Sequence, residues 1–168
     1  MKTLYIHRHA KSDWDSGAKS DHDRPLNTRG KKNAGFMAEK FKDEKIAMDF
    51  LLSSTATRAK DTMRYYQSQL GLFEEHTQLE RRIYGAGVRE MVSVIEDITD
   101  DYDTVMIFGH NPTFTDLCSH LDHHFYDDLV TCSRVKVELD IDSWKEIHEN
   151  CGRVKEHIYP KQFPEMRE

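Results

Sequence analysis

Short apolar runs that stop abruptly in polar clusters constrain this chain more than any other feature. The stretch LYIHRHAKSDW, Leu4 to Trp14, reads as a strand over Thr3 to His9 that ends on His7, Arg8 and His9. Phe50, Leu51 and Leu52 form a second run, closed by SSTATR, and TVMIF, Thr104 to Phe108, a third, closed by GHNP. Helical periodicity follows each: Ala34, Met37, Ala38 and Phe41, then Ala59, Met63, Tyr66 and Leu70, then Phe114, Leu117, Cys118 and Leu121. A further helical face carries Val88, Met91, Val92 and Ile95. Nearly all-apolar strands alternating with helices imply an α/β fold, a mostly parallel central sheet covered by helices on both faces. Ligands of such sheets sit at the carboxyl ends of the strands. HRH, SSTATR and GHNP are therefore expected to converge.

Punctuation sets the boundaries. Asp13 to Asn27 is polar and ends in Pro25, a surface loop. Asn27 or Thr28 caps the first helix, Gly71 stops a helix over Thr57 to Leu70, and Pro112 suits the first turn of the next. Thr77 to Leu79 is a short extended piece. Arg134 to Leu139 alternates, Asp140 to Ser143 turns, and Trp144 to Glu149 is expected to return as its hairpin partner. The last segment, VKEHIYPKQFPEMRE, reads as an irregular tail. No linker or repeat is visible, so residues 1–168 are expected to form a single domain.

Composition excludes several classes. A net charge of -6 argues against a nucleic-acid surface, which needs a basic patch, yet permits one locally positive pocket. No run is long enough to span a bilayer, and MKTLYIHRHAKSDWD turns polar too early for a signal peptide. Cys118, Cys132 and Cys151 form no CxxC pair, which suits a reducing, cytoplasmic setting without a thiolate zinc site. His7 and His9 share a strand side without a carboxylate at metal-motif spacing, and His120, His123 and His124 read as an exposed helix end. No metal or cofactor is expected.

Singly, each polar cluster has an ordinary reading: HRH as a sheet rim, Arg58 as a solvated helix residue, GHNP as a helix entry capped by Asn111. Jointly they make a chemical inventory. Arg8 and Arg58 can grip phosphoryl oxygens bidentately. A histidine can attack phosphorus and carry the group covalently. A second imidazole, when protonated, can donate to an equatorial oxygen where charge grows in the transition state. Helix starts after Thr55 and Asn111 would add backbone N–H donors.

The whole pattern resembles the histidine phosphatase superfamily, also called phosphoglycerate mutase-like. Arg8–His9–Ala10 stands where that family has Arg-His-Gly or Arg-His-Ala, RPLNTRG (Arg24 to Gly30) resembles its Arg-Pro-Leu stretch, and SSTATRAKDT (Ser53 to Thr62) and GHNP (Gly109 to Pro112) resemble its later elements. The short distance from Arg58 to Gly109 leaves little room for a helical cap, so the chain is most similar to the compact SixA-type phosphohistidine phosphatases. The resemblance implies His9 as nucleophile, Arg8 and Arg58 as phosphoryl ligands, and His110 as the second pocket histidine. It places a carboxylate proton donor near Glu80, with Asp13 or Asp21 as alternatives, and no metal or cofactor. Asn111 and Ser16 join the expected substrate contacts, while Arg24, Asn27 and Thr28 read as structural. The implied activity is metal-independent phosphate release through a covalent phosphohistidine, with a phosphohistidine-bearing protein as partner. Its rivals are a small-molecule phosphatase or mutase of the same fold and a non-catalytic phosphoprotein-binding module.

Overall fold

The computed structural model describes residues 1–167; the last residue of the tail, Glu168, lies outside them. Its strands are β1 (Lys2–Arg8), β2 (Phe50–Ser54), β3 (Thr77–Glu80), β4 (Thr104–Gly109), β5 (Arg134–Leu139) and β6 (Gly152–Ile158). Its α-helices are α1 (Thr28–Asp43), α2 (Thr57–Leu70), α3 (Val88–Glu96) and α4 (Thr113–Leu121). The six strands form one sheet in the order β3-β2-β4-β1-β5-β6. β1 to β4 are mutually parallel, and β5 and β6 add an antiparallel edge. The three apolar runs, β1, β2 and β4, are buried on both faces, which is why they lack polar alternation.

Two cores flank the sheet. One packs Leu4, Ile6, Leu52 and Ile107 against Met91 and Ile95 of α3 and Phe114 and Leu117 of α4. The other packs Tyr5, Leu51, Met106 and Phe108 against Met37 and Phe41 of α1 and Met63 and Tyr66 of α2. The helical faces read from the periodicity are those buried. Asn27 caps α1, its side chain accepting from Gly30 N at 2.7 Å, and Gly71 ends α2 at a φ of 64°. Pro112 stands at the cap position immediately before α4.

The carboxyl-terminal part differs from the sequence reading. Trp144–Glu146 is a single 3₁₀ turn and pairs with no strand. Ser143 caps it, and Glu146 accepts from Asp142 N and Ser143 N at 3.0 and 2.8 Å, which closes the turn before it can extend. The hairpin partner of β5 is β6, in a register from Leu139 opposite Gly152 to Arg134 opposite Ile158. The start of the expected tail, Val154 to Ile158, is thus part of an edge strand, and the proline-rich end forms short 3₁₀ turns, Pro160–Gln162 and Pro164–Met166.

Candidate active site

The ends of β1, β2 and β4 lie side by side, with Arg8 opposite Gly109 and Ser53 opposite Phe108. This register delivers the three polar clusters to one cavity of about 260 Å³. Arg8, His9, Arg58, His110 and Asn111 all line it, together with Trp14. Gly109 is required here, since a Cβ would overlap the Phe114 ring of α4.

His9 is clamped through its backbone. Its N–H donates to Gly109 O and its carbonyl accepts from Cys132 N, both at 3.0 Å, while Ala10 N donates to Thr62 Oγ1 at 3.1 Å. Thr62 in turn donates to Arg58 O at 2.8 Å, coupling the arginine's helix to the histidine's strand end. The imidazole Nδ1 donates to Ala10 O at 2.6 Å, which fixes the tautomer and leaves a lone pair on Nε2. Burial, aided by His110, Arg58 and Arg8, pushes its pKa down to about 3 against the pull of the Ala10 bond. At neutral pH His9 is an uncharged imidazole.

The His110 ring lies 5.3 Å from that of His9, centre to centre. Ser54 Oγ accepts from Ala56 N at 3.1 Å and contacts His110 Nε2 at 2.8 Å. That contact engages Nε2 and leaves Nδ1 as the ring nitrogen with no partner in the protein. Burial first, then Arg58, lowers the His110 pKa to about 4. At neutral pH His110 is an uncharged ring, and a phosphoryl anion beside it would raise its affinity for a proton.

The arginines are held at their tips. Arg8 Nη1 donates to Leu129 O at 2.8 Å, and Arg58 donates from Nη1 to Asp21 O at 2.6 Å and from Nη2 to Asp21 Oδ2 at 3.0 Å. Arg8 Nε, Arg58 Nε and His110 Nδ1 are buried with no hydrogen-bond partner. A buried polar atom left unpaired costs about 1–3 kcal/mol, and with two unpaired guanidinium donors beside it the cavity suits an anion.

Other expected contributions fall elsewhere. Glu80 does not line this cavity; it accepts from Arg82 N and Arg82 Nη2, both at 2.9 Å, and lines a separate cavity with Arg82 and Asp97. Its hydrogen bond from Arg82 holds its carboxyl below the usual range. Ser16 lines an adjoining cleft. The first donors of the helices are spent internally: Ala56 N on Ser54, Thr57 N on His22 O, Phe114 N on His110 O and Thr115 N on Asn111 Oδ1. Asn111 instead donates from Nδ2 to Leu129 O at 2.8 Å, pinning the segment that also holds Arg8.

Asp21 reaches the site, though as a clamp. It accepts from Arg58, from Arg24 Nε at 3.1 Å and from Tyr84 Oη at 2.8 Å. Burial opposes its ionisation, but the bonds from Tyr84, Arg58 and Arg24 outweigh it and hold the carboxyl at about 2. Ser54, Thr62, Tyr84 and Thr131 had no individual signal in the sequence; Ser54 and Thr62 sit inside the quoted SSTATRAKDT run, where the tail of the motif was the only clue. Among the described residues, no group of three or more His, Cys, Asp or Glu is placed to hold a metal ion, and no helix is long and apolar enough to cross a membrane.

Comparison with known proteins places this geometry. The family model described as "Histidine phosphatase superfamily (branch 1)" matches residues 4–86. An uncharacterized protein of Mycobacterium tuberculosis is 36% identical over 128 residues, which cover 76% of this chain and 77% of that one. A chloroplastic protein of Arabidopsis thaliana is 29% identical over 153 residues, 86% of this chain and 70% of that one. The protein histidine phosphatase SixA complexed with tungstate superposes with a TM-score of 0.81 at 22% identity, covering 95% of this chain and 98% of that one. The mycobacterial glucosyl-3-phosphoglycerate phosphatase in complex with VO3 gives 0.69 at 14% identity, covering 92% and 98%. At these identities the likeness to solved structures is one of fold.

Proposed function

Because the chain belongs to the histidine phosphatase superfamily (branch 1), we propose that it removes phosphoryl groups through a covalent phosphohistidine on His9 and that its substrate carries the group on an imidazole nitrogen of a protein. The observation that carries the first part is that Arg8 and Arg58, each with an unpaired Nε donor, and His110, with an unpaired Nδ1, line the cavity that His9 also lines. A phosphoryl group satisfies them together. Two guanidinium groups then supply positive charge to the equatorial oxygens without calling on a metal.

The steps balance as follows. His9 Nε2 attacks phosphorus, a new N–P bond forms, and the substrate's N–P bond breaks. If the distal nitrogen of the substrate ring is already protonated, its electron pair returns to the ring and neutral imidazole departs. Water then attacks the phosphorus on His9, the second N–P bond breaks, inorganic phosphate leaves, and His9 returns to its neutral form.

The substrate class rests on the acids. Asp21 lies at about 2 and is committed to Arg58, and Glu80 is outside the cavity. Neither of these two carboxyls is disposed to protonate an alkoxide near neutral pH. A leaving group that accepts its proton from solvent beforehand suits such a site.

The test is to mix the protein with a phosphohistidine peptide, quench in alkali within milliseconds, and look for phosphate on the chain. Alkali-stable, acid-labile label on His9, with its loss and loss of phosphate release in His9→Ala, is expected. Steady phosphate release without any trapped label, or release unchanged in His9→Ala, rejects the mechanism. A phosphothreonine peptide turned over as well as the phosphohistidine peptide rejects the substrate class alone.

A further inference from the structure

Trp14 is 77% exposed, yet it is held in place. The Arg24 guanidinium lies 3.5 Å from the centre of its ring. Arg24 is itself 9% exposed and anchored, Nε on Asp21 and Nη1 on Ser12 Oγ. Asp21 is tied in turn to Arg58. One face of the indole is thus fastened to the phosphoryl-binding apparatus through a short chain of charged contacts.

The position of that ring carries the inference. Trp14 lines the cavity that contains His9 and also the adjoining cleft of about 320 Å³ formed by the 16–21 turn. It thus stands on the wall shared by the two. The chain's other tryptophan shows the contrast: Trp144 is fully buried, its Nε1 donating to Tyr102 O at 2.8 Å. A large ring kept at the surface, in a fixed orientation, on the wall of a site offers stacking area with little ordering left to do on binding.

We propose that Trp14 is a specificity-determining residue, its indole being the platform on which a planar ring of the leaving group lies. The site would then favour phosphoryl groups carried on aromatic or heteroaromatic rings over ring-free ones. This extends the phosphohistidine reading above and rests on it for the identity of the ring.

Comparing phosphohistidine with ring-free phosphoramidate tests this, because both break an N–P bond and they differ in the ring. In Trp14→Leu the ratio of their kcat/KM values falls by about three- to tenfold, the range that one aromatic stacking contact supports, and Trp14→Phe keeps most of it. A ratio unchanged in Trp14→Leu overturns the proposal, including the case where both activities drop together because Trp14 merely covers Arg24. Phenylphosphonate and methylphosphonate binding, followed by quenching of the exposed indole and by calorimetry in Trp14→Leu, separates the two hypotheses. If neither nitrogen-linked phosphate is turned over but phenylphosphonate binds several-fold more tightly only when Trp14 is present, the substrate reading fails and the platform stands. Equal binding of the two phosphonates to the unaltered protein removes the platform.

Discussion

At the scale of single residues, reactivity here is a matter of which polar atoms are satisfied and which are left over. Thr62 accepts from Ala10 N and donates to Arg58 O, so one hydroxyl ties the strand end that carries His9 to the helix that carries Arg58. Thr62→Val keeps the shape and strands a buried N–H, so unfolding should become easier by roughly 1–3 kcal/mol. Phosphatase kcat should fall more than KM rises, and Thr62→Ser should restore both; urea titration and steady-state kinetics decide, and equal stability of Val and Thr proteins would refute the link. Arg8, His9, Arg58 and His110 were legible in the sequence because each directly follows or opens an element whose type the apolar pattern reveals. Asp21, Tyr84 and Trp14 were not legible in their roles, since only the return path of the 13–27 loop brings them in. Glu80 shows the reverse failure: Arg82, two residues on, captures its carboxylate locally.

At the scale of elements, the start of α1 supports one wall of the site. Gly30 packs so closely on the Lys11 backbone that a Cβ would overlap the Lys11 carbonyl oxygen, and Asn27 N donates to that same oxygen at 3.0 Å. Lys11 and Ser12 line the cavity. Gly30→Ala should therefore displace this segment, destabilise the protein by about 1–3 kcal/mol as overpacking does, and lower kcat/KM; thermal melting with kinetics is the check, and an unperturbed melt would contradict the contact. The same scale explains the one misread element. β6 is a half-exposed edge strand whose charged residues hide its alternation, whereas Trp144 looks like a strand residue yet is buried by a capped turn. The buried parallel strands had no such disguise.

At the scale of the molecule, acid weakens the fold through its own site. His7 and His9 are held near 3 and His110 near 4, burial being the leading cause in each. In the unfolded chain these rings titrate near the ordinary value of 6.5, so unfolding takes up protons as the pH falls below it. Depressed native values mean the stabilisation is complete above about 6.5 and is lost progressively down toward 3–4. Each histidine that stays neutral changes the folding equilibrium by about tenfold per pH unit in that window. Urea midpoints should be level from pH 8 to 7 and drop steeply from 6 to 5, less steeply in His9→Ala; a midpoint flat from 7 to 5 would show the rings ionise in the native state. The sheet order has a temporal consequence as well. β1 leads directly into His9, the proposed nucleophile, yet lies between β4 and β5, so its neighbours are the strands at 104–109 and 134–139. During synthesis β1 leaves the ribosome before β4 and β5 and must wait for both before it has its place in the sheet. His9 is made before the strands that flank it, and a chain terminated ahead of β5 lacks one wall of the sheet that holds it.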